Sequence, residues 1–137
     1  MGKAMKVGSE LQGGAHAITV EKLVAFERVI WQRDPNTHSD PEVARQRGMS
    51  RPIASGQNQL AFLHQLMEEN FADGWTHGGE ISVRWLRPVY AGDRVTPRAR
   101  IQAITPGKDG ARVELEVWCE NQNGEKTSAG TARACLK

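Results

Sequence analysis

The sequence predicts an α+β domain in which one long helix is buried against an antiparallel sheet. Three observations carry that prediction. Apolar residues recur at helical spacing only in the first half of the chain, from Leu23 to Phe71. After Gly78 the pattern changes to strict alternation, and turn signals cut the alternating half into four strands at hairpin spacing.

The 137 residues make one domain, large enough to bury a core without disulfide staples, and no internal repeat divides it. Eighteen basic and 16 acidic residues leave a charge of +2, too even to argue for a nucleic-acid or anionic-membrane partner. No apolar run approaches the roughly 20 residues of a membrane span. The start, Met1-Gly2-Lys3-Ala4-Met5-Lys6, lacks the apolar core of a secretory signal, and Lys6 stands where a myristoylation site needs Ser or Thr. These readings predict a cytoplasmic chain. Cys119 and Cys135 fall inside predicted strands and are expected as buried free thiols.

Taken in order, residues 1–14 are Gly-rich and aperiodic, which predicts a loosely held tail before a single domain over 15–137. Thr19 can cap a helix whose apolar positions are Leu23, Phe26, Val29 and Ile30. The loop Asp34–Asp40 interrupts it. Asp40 then reads as an N-cap with Pro41 at the first helical position, and Gly48 closes a short helix. From Gln57 to Phe71 no Gly or Pro intervenes, and Leu60, Leu63, Met67 and Phe71 mark one face that Phe62 and Leu66 widen. A stripe that broad predicts a helix largely wrapped by other structure.

The strands follow. Ile81, Val83 and Trp85 alternate with Ser82, Arg84 and Leu86. Ala99, Ile101 and Ala103 form the next set, then Val113, Leu115, Val117 and Cys119, then Ala132 and Ala134. Ala91-Gly92-Asp93, Pro106-Gly107-Lys108-Asp109-Gly110 and Asn121-Gln122-Asn123-Gly124 supply the turns between them.

Two segments carry chemistry. In Asp34-Pro35-Asn36-Thr37-His38-Ser39-Asp40-Pro41 a histidine sits among carboxylates, able to move a proton near neutral pH. Asp34 can activate water, orient His38 or simply form the turn. Asn36 can hold a substrate carbonyl or shape the loop, and Asp40 fits a helix cap better than a catalyst. In Arg51-Pro52-Ile53-Ala54-Ser55-Gly56 the long helix begins at Gly56, where unpaired N–H groups and the positive dipole end favour developing negative charge. Gly56 can equally serve close packing, and Ser55 can donate to a ligand or cap the helix. His64, His77 and His16 lack such settings. No histidine pair has metal-ligand spacing, so no metal is expected.

This arrangement resembles the MaoC-like dehydratases of the hotdog fold. The likeness runs from Val7-Gly8-Ser9-Glu10-Leu11 through the Asn36–Pro41 loop and Pro52–Gly56 to Gly79-Glu80-Ile81-Ser82-Val83-Arg84-Trp85-Leu86-Arg87-Pro88-Val89 and Gly92-Asp93. It covers about residues 7–104, the later strands agreeing in pattern only. The resemblance implies a sheet wrapped around one buried helix and hydration of a trans-2-enoyl thioester, or the reverse dehydration. It further implies Asp34 and His38 as the catalytic pair, Gly56 as oxyanion donor, and Asn36, Asp40 and Ser55 near the substrate. The partners it implies are coenzyme A or acyl carrier protein, each a handle on the substrate, in a homodimer or larger assembly with no separate cofactor. Arg84, Arg87, Arg98 and Arg100 can meet the phosphates of coenzyme A or stand solvated. Two departures mark this chain. Its loop places Asp34 and His38 four residues apart where the family pattern has five, and Ser55 replaces the family's histidine before the glycine.

Other activities remain on the same scaffold. A thioesterase of this fold uses a carboxylate in the buried helix, but Glu68 and Glu69 lie ~18 Å along the axis from Gly56. A non-catalytic subunit that binds acyl thioesters or completes a partner's dimer is the other alternative.

Overall fold

A computed structural model describes residues 5–30 and 35–137. Strands β1 (Glu10–Gln12) and β2 (His16–Ala17) lead into helices α1 (Val20–Ile30), α2 (Pro41–Gln46), α3 (Gly56–Phe71) and α4 (Asp73–Thr76). Strands β3 (Glu80–Trp85), β4 (Arg94–Gly107), β5 (Gly110–Glu120) and β6 (Lys126–Leu136) complete the chain. All strand pairs are antiparallel. The sheet runs β1-β4-β5-β6-β3, with β2 also on β4, so β3 forms one edge.

The core lies between α3 and this sheet. Leu63, Leu66 and Met67 of α3 are buried against Val95, Ala99, Ile101, Val113, Leu115 and Val117. Each strand contributes alternate residues, as a sheet with one wet face requires. The outer face carries charge ladders instead, among them Arg98 on Glu120 at 2.7 Å and Arg100 on Glu10 at 2.8 Å. These two arginines are thereby engaged away from α3's first turn. No described helix is long and apolar enough to cross a membrane.

The short helix α2 forms as its sequence reads. Asp40 Oδ1 accepts from the backbone N–H of Glu42 at 2.8 Å and of Val43 at 3.3 Å, and Pro41 follows it at the first helical position. Gly48, at φ +84°, closes the end in the left-handed region that glycine adopts without strain.

Four details differ from the expected pattern. Glu10–Gln12, placed in a loose tail, pair with Arg98–Arg100 of β4. Three residues around one half-buried Leu11 are too few to show a period. In α1 the buried positions are Leu23 and Glu27, whereas Val29 and Ile30 are exposed. Val29 lies six residues past Leu23, about 240° round the helix and so off the buried face.

In β4 the pairing shifts between Ile101 and Ala103. This bulge ends the alternation, so Ala103 is only half-buried and Ile104 packs on the core. Finally, Cys119 is buried and Cys135 exposed, both as free thiols. Burial pushes the Cys119 thiol up to about 11, which keeps it protonated and inert at neutral pH.

Candidate active site

The two chemistry-bearing segments meet because the chain between α2 and α3 is clamped on both sides. On one side Pro52–Ala54 runs beside Val89–Ala91: Ala54 N–H donates to Val89 O at 2.7 Å and Ala91 N–H to Pro52 O at 2.9 Å. On the other side Ile53 N–H donates to Thr37 O at 3.1 Å. The His38 ring completes the clamp, with Nδ1 2.9 Å from Ile53 O.

That last contact fixes the chemistry of the ring. A carbonyl oxygen can only accept, so Nδ1 carries the proton, and the neutral ring has its lone pair on Nε2. His38 is therefore held as a base at one defined atom.

The loop itself is braced from within. Asn36 Oδ1 accepts from His38 N–H at 2.8 Å, Ser39 Oγ accepts from Asn36 N–H at 3.1 Å, and Asn36 O accepts from both Ser39 N–H and Asp40 N–H. Asn36 Nδ2 reaches back 3.3 Å to Glu27 Oε2 on α1. Asn36 thus shapes the loop, one of the two roles open to it from sequence. Asp40 directs Oδ1 into the α2 cap. Asp34 lies outside the described residues.

At the start of α3, Ser55 holds the N-cap position, but its hydroxyl caps no backbone N–H. Its Oγ instead accepts from Asn58 Nδ2 at 3.2 Å. The Gly56 and Gln57 N–H groups find no acceptor among the described residues, as the first turn of a helix predicts. A Cβ on Gly56 would stand 2.5 Å from the Trp85 indole, so only glycine lets that ring lie against the helix start. Oxyanion donation and close packing therefore coincide at Gly56.

His38, Ile53, Ala54, Gly56, Gln59, Trp85, Leu86, Arg87, Pro88 and Val89 line one cavity of about 340 Å³. It brings His38 and the Gly56 start of α3 together in a mostly apolar setting. A larger hollow of about 440 Å³ lies under the β4–β5 hairpin. It is lined by none of the site residues, and the chemistry of its walls offers no comparable constellation. Arg87 stands in the wall of the smaller cavity, half-exposed and 3.4 Å from Glu125. Among the described residues, no three His, Cys, Asp or Glu side chains gather closely enough to hold a metal ion.

The MaoC-like domain model matches residues 12–123 of the chain. The chain belongs to the MaoC-like domain family. Its fold is the hotdog fold, shared with solved structures of that family. One is the (R)-hydratase from A. caviae involved in PHA biosynthesis, 22% identical, with a TM-score of 0.80 over 99% of this chain and 100% of that one. Another is the unliganded R-hydratase from Pseudomonas aeruginosa, 22% identical, with a TM-score of 0.81 over 96% and 82%. The MaoC-like dehydratase from Rhodospirillum rubrum is 26% identical, with a TM-score of 0.77 over 96% and 92%. No curated protein is similar to the chain in sequence.

Of the site residues read from sequence, the MaoC-like domain brings His38 and Gly56 to one cavity and places Asn36, Asp40 and Ser55 on bonds that brace its walls. Two further residues of the cavity, Trp85 and Gln59, and Glu27 behind the loop are not singled out by the sequence. Trp85, whose alternation predicts only a strand face, is half-exposed and covers Gly56. Glu27 and Gln59 are buried polar residues on helices. Both had a legible signal: Glu27 stands four residues past Leu23, and Gln59 four before Leu63 and seven before Leu66. A polar residue in register with a buried stripe marks a site or an internal bond.

Proposed function

We propose that this MaoC-like protein is a hydratase/dehydratase acting on an enoyl thioester and its 3-hydroxyacyl counterpart. The observation that carries the reading is the shared cavity, lined by His38 on one wall and on another by Gly56, whose N–H finds no acceptor among the described residues. Family membership and the hydratase names of its structural neighbours support it.

In this mechanism His38 Nε2 takes a proton from water as the oxygen attacks C3 of the conjugated thioester. The electron pair of the double bond moves onto the carbonyl oxygen, which rests against the Gly56 N–H at the positive end of α3. The proton taken up by His38 is then returned, directly or through solvent, to C2, which neutralises the enolate and completes the addition of one water. Asp34 is assigned either to orienting the ring or to activating the water. Coenzyme A or acyl carrier protein serves as the handle, with Arg87 at the cavity wall as the cation for a handle phosphate. The reaction requires no metal or redox cofactor.

Crotonyl-CoA tests the reading directly. Loss of the conjugated absorbance without release of thiol is the expected result. Loss with free thiol would make the protein a thioesterase, and no change with any enoyl-CoA would leave only a binding role.

We also propose a homodimer or larger homo-oligomer. Strand β3 pairs with β6 on one side only among the described residues, and an edge of that kind invites a second chain. The exposed Trp85 and Leu86 at its end, with Val29 and Ile30 on α1, supply apolar surface for the contact. Light scattering should give at least twice the chain mass. A stable monomer that is fully active at dilution would overturn this assembly.

A further inference from the structure

Gln59 is 3% exposed, one turn along α3 from Gly56, and it lines the same cavity as His38. Its amide carbonyl is tied to the sheet. Thr127, fully buried on β6, has its Oγ1 2.8 Å from Gln59 Oε1 and 3.3 Å from Cys119 O, and the nearer acceptor, Gln59 Oε1, takes its one proton. Gln59 Nε2 bonds no described residue. A donor that faces a mostly apolar cavity pairs there with water or with a ligand atom that accepts a hydrogen bond, and an alkyl group that displaces the water leaves it unpaired. Leu, Met or Val at this position would offer the cavity no donor.

We propose that Gln59 is a specificity residue that selects acyl groups carrying an oxygen acceptor beyond the double bond. This deepens the acyl-thioester reading and rests on it. With the thioester carbonyl at the Gly56 N–H, Gln59 stands ~4.5 Å further along the helix, past the reacting carbons. Nε2–H then donates to a hydroxyl, keto or carboxylate oxygen on the acyl chain. Thr127 is the positioning residue that keeps the donor turned inward. A plain alkyl chain leaves the donor unpaired, so the site discriminates by the bond the wrong substrate cannot make.

The test separates recognition from chemistry by using CoA thioesters with no double bond. Binding of pentanoyl-CoA, 4-oxopentanoyl-CoA and succinyl-CoA to the full chain is measured by calorimetry. The oxygenated pair should include a ligand bound at least ~10-fold more tightly than pentanoyl-CoA, and which of the two it is distinguishes a keto from a carboxylate acceptor. In Gln59→Met that ratio should fall to about one. Because Gln59→Met leaves the Thr127 hydroxyl buried without its partner, a second protein, Gln59→Met with Thr127→Val, removes both ends of the bond and should fold while showing the same loss.

A wild-type ratio near one overturns the proposal, as does an equal loss for all three ligands, which would make Gln59 a donor to the thioester carbonyl instead. Failure of the three to bind overturns it too. Should the ratio hold while no enoyl-CoA is hydrated, the catalytic reading fails and the ligand class stands.

Discussion

Replacing His38 by alanine should lower hydratase turnover by ~10²–10⁴-fold and leave the melting temperature nearly unchanged. The first half of that expectation follows from the ring's position. His38 is the histidine in the cavity wall, and its bond to Ile53 O commits Nδ1–H to the protein and leaves Nε2 for the proton transfer. Removing a general base deletes the step that makes water a nucleophile, whereas the α3 donors that hold the carbonyl stay in place.

The second half follows from how little of the fold depends on the ring. The loop keeps the backbone bond from Ile53 N–H to Thr37 O, the bond from residue 38 N–H to Asn36 Oδ1, and the α2 cap at Asp40. One half-buried hydrogen bond is lost, typically worth about 1 kcal/mol. Steady-state kinetics with the best enoyl-CoA and a thermal melt check both halves. A His38→Ala protein with near-normal turnover would sink the mechanism. Asp34→Asn separates the roles left to that carboxylate, costing less than His38→Ala where it orients the ring and about as much where it acts on water.

What the sequence revealed, and what it hid, divides along a physical line. Long segments with one dominant period were legible. The stripe Leu63, Met67 and Phe71 defined a helix within one residue at its start, and alternation defined the four long strands. Helix caps were legible because Asp40-Pro41 and Gly48 act locally, through atoms two or three residues away. The short strand at Glu10–Gln12 was not, since its partner is nearly 90 residues distant and its own pattern holds a single apolar side chain. The bulge in β4 was hidden for a related reason: one unpaired residue changes which face later side chains occupy without changing composition.

The site was legible in its reactive residues and opaque in its walls. His38 and Gly56 stand in motifs that carry their own chemistry. Trp85 over Gly56, and Gln59 tied to Thr127 across 68 positions, depend on contacts that only folding creates. Ser55 shows how local rules mislead there, for its hydroxyl serves Asn58 and leaves the helix end uncapped.

Met67→Asp should unfold the protein or bring it close to unfolding. Met67 has no exposed surface and sits in the middle of α3, within the cluster that includes Leu63, Val95, Ile101, Leu115 and Val117. An aspartate there removes the packing of a flexible apolar chain and puts a carboxyl group among alkyl ones. Either the group stays charged and loses its hydration, or it binds a proton and remains a buried polar group without a partner. Each route costs several kcal/mol, set against a total stability of about 5–15 kcal/mol for a domain of ordinary stability. Met67→Leu is the control: it keeps volume and polarity, and should cost under about 1.5 kcal/mol. Urea unfolding followed by circular dichroism compares the three proteins on one scale. A Met67→Asp midpoint equal to that of the parent chain would mean that α3 does not bury this face against the sheet. The cavity that depends on α3's first turn would then lose its foundation as well.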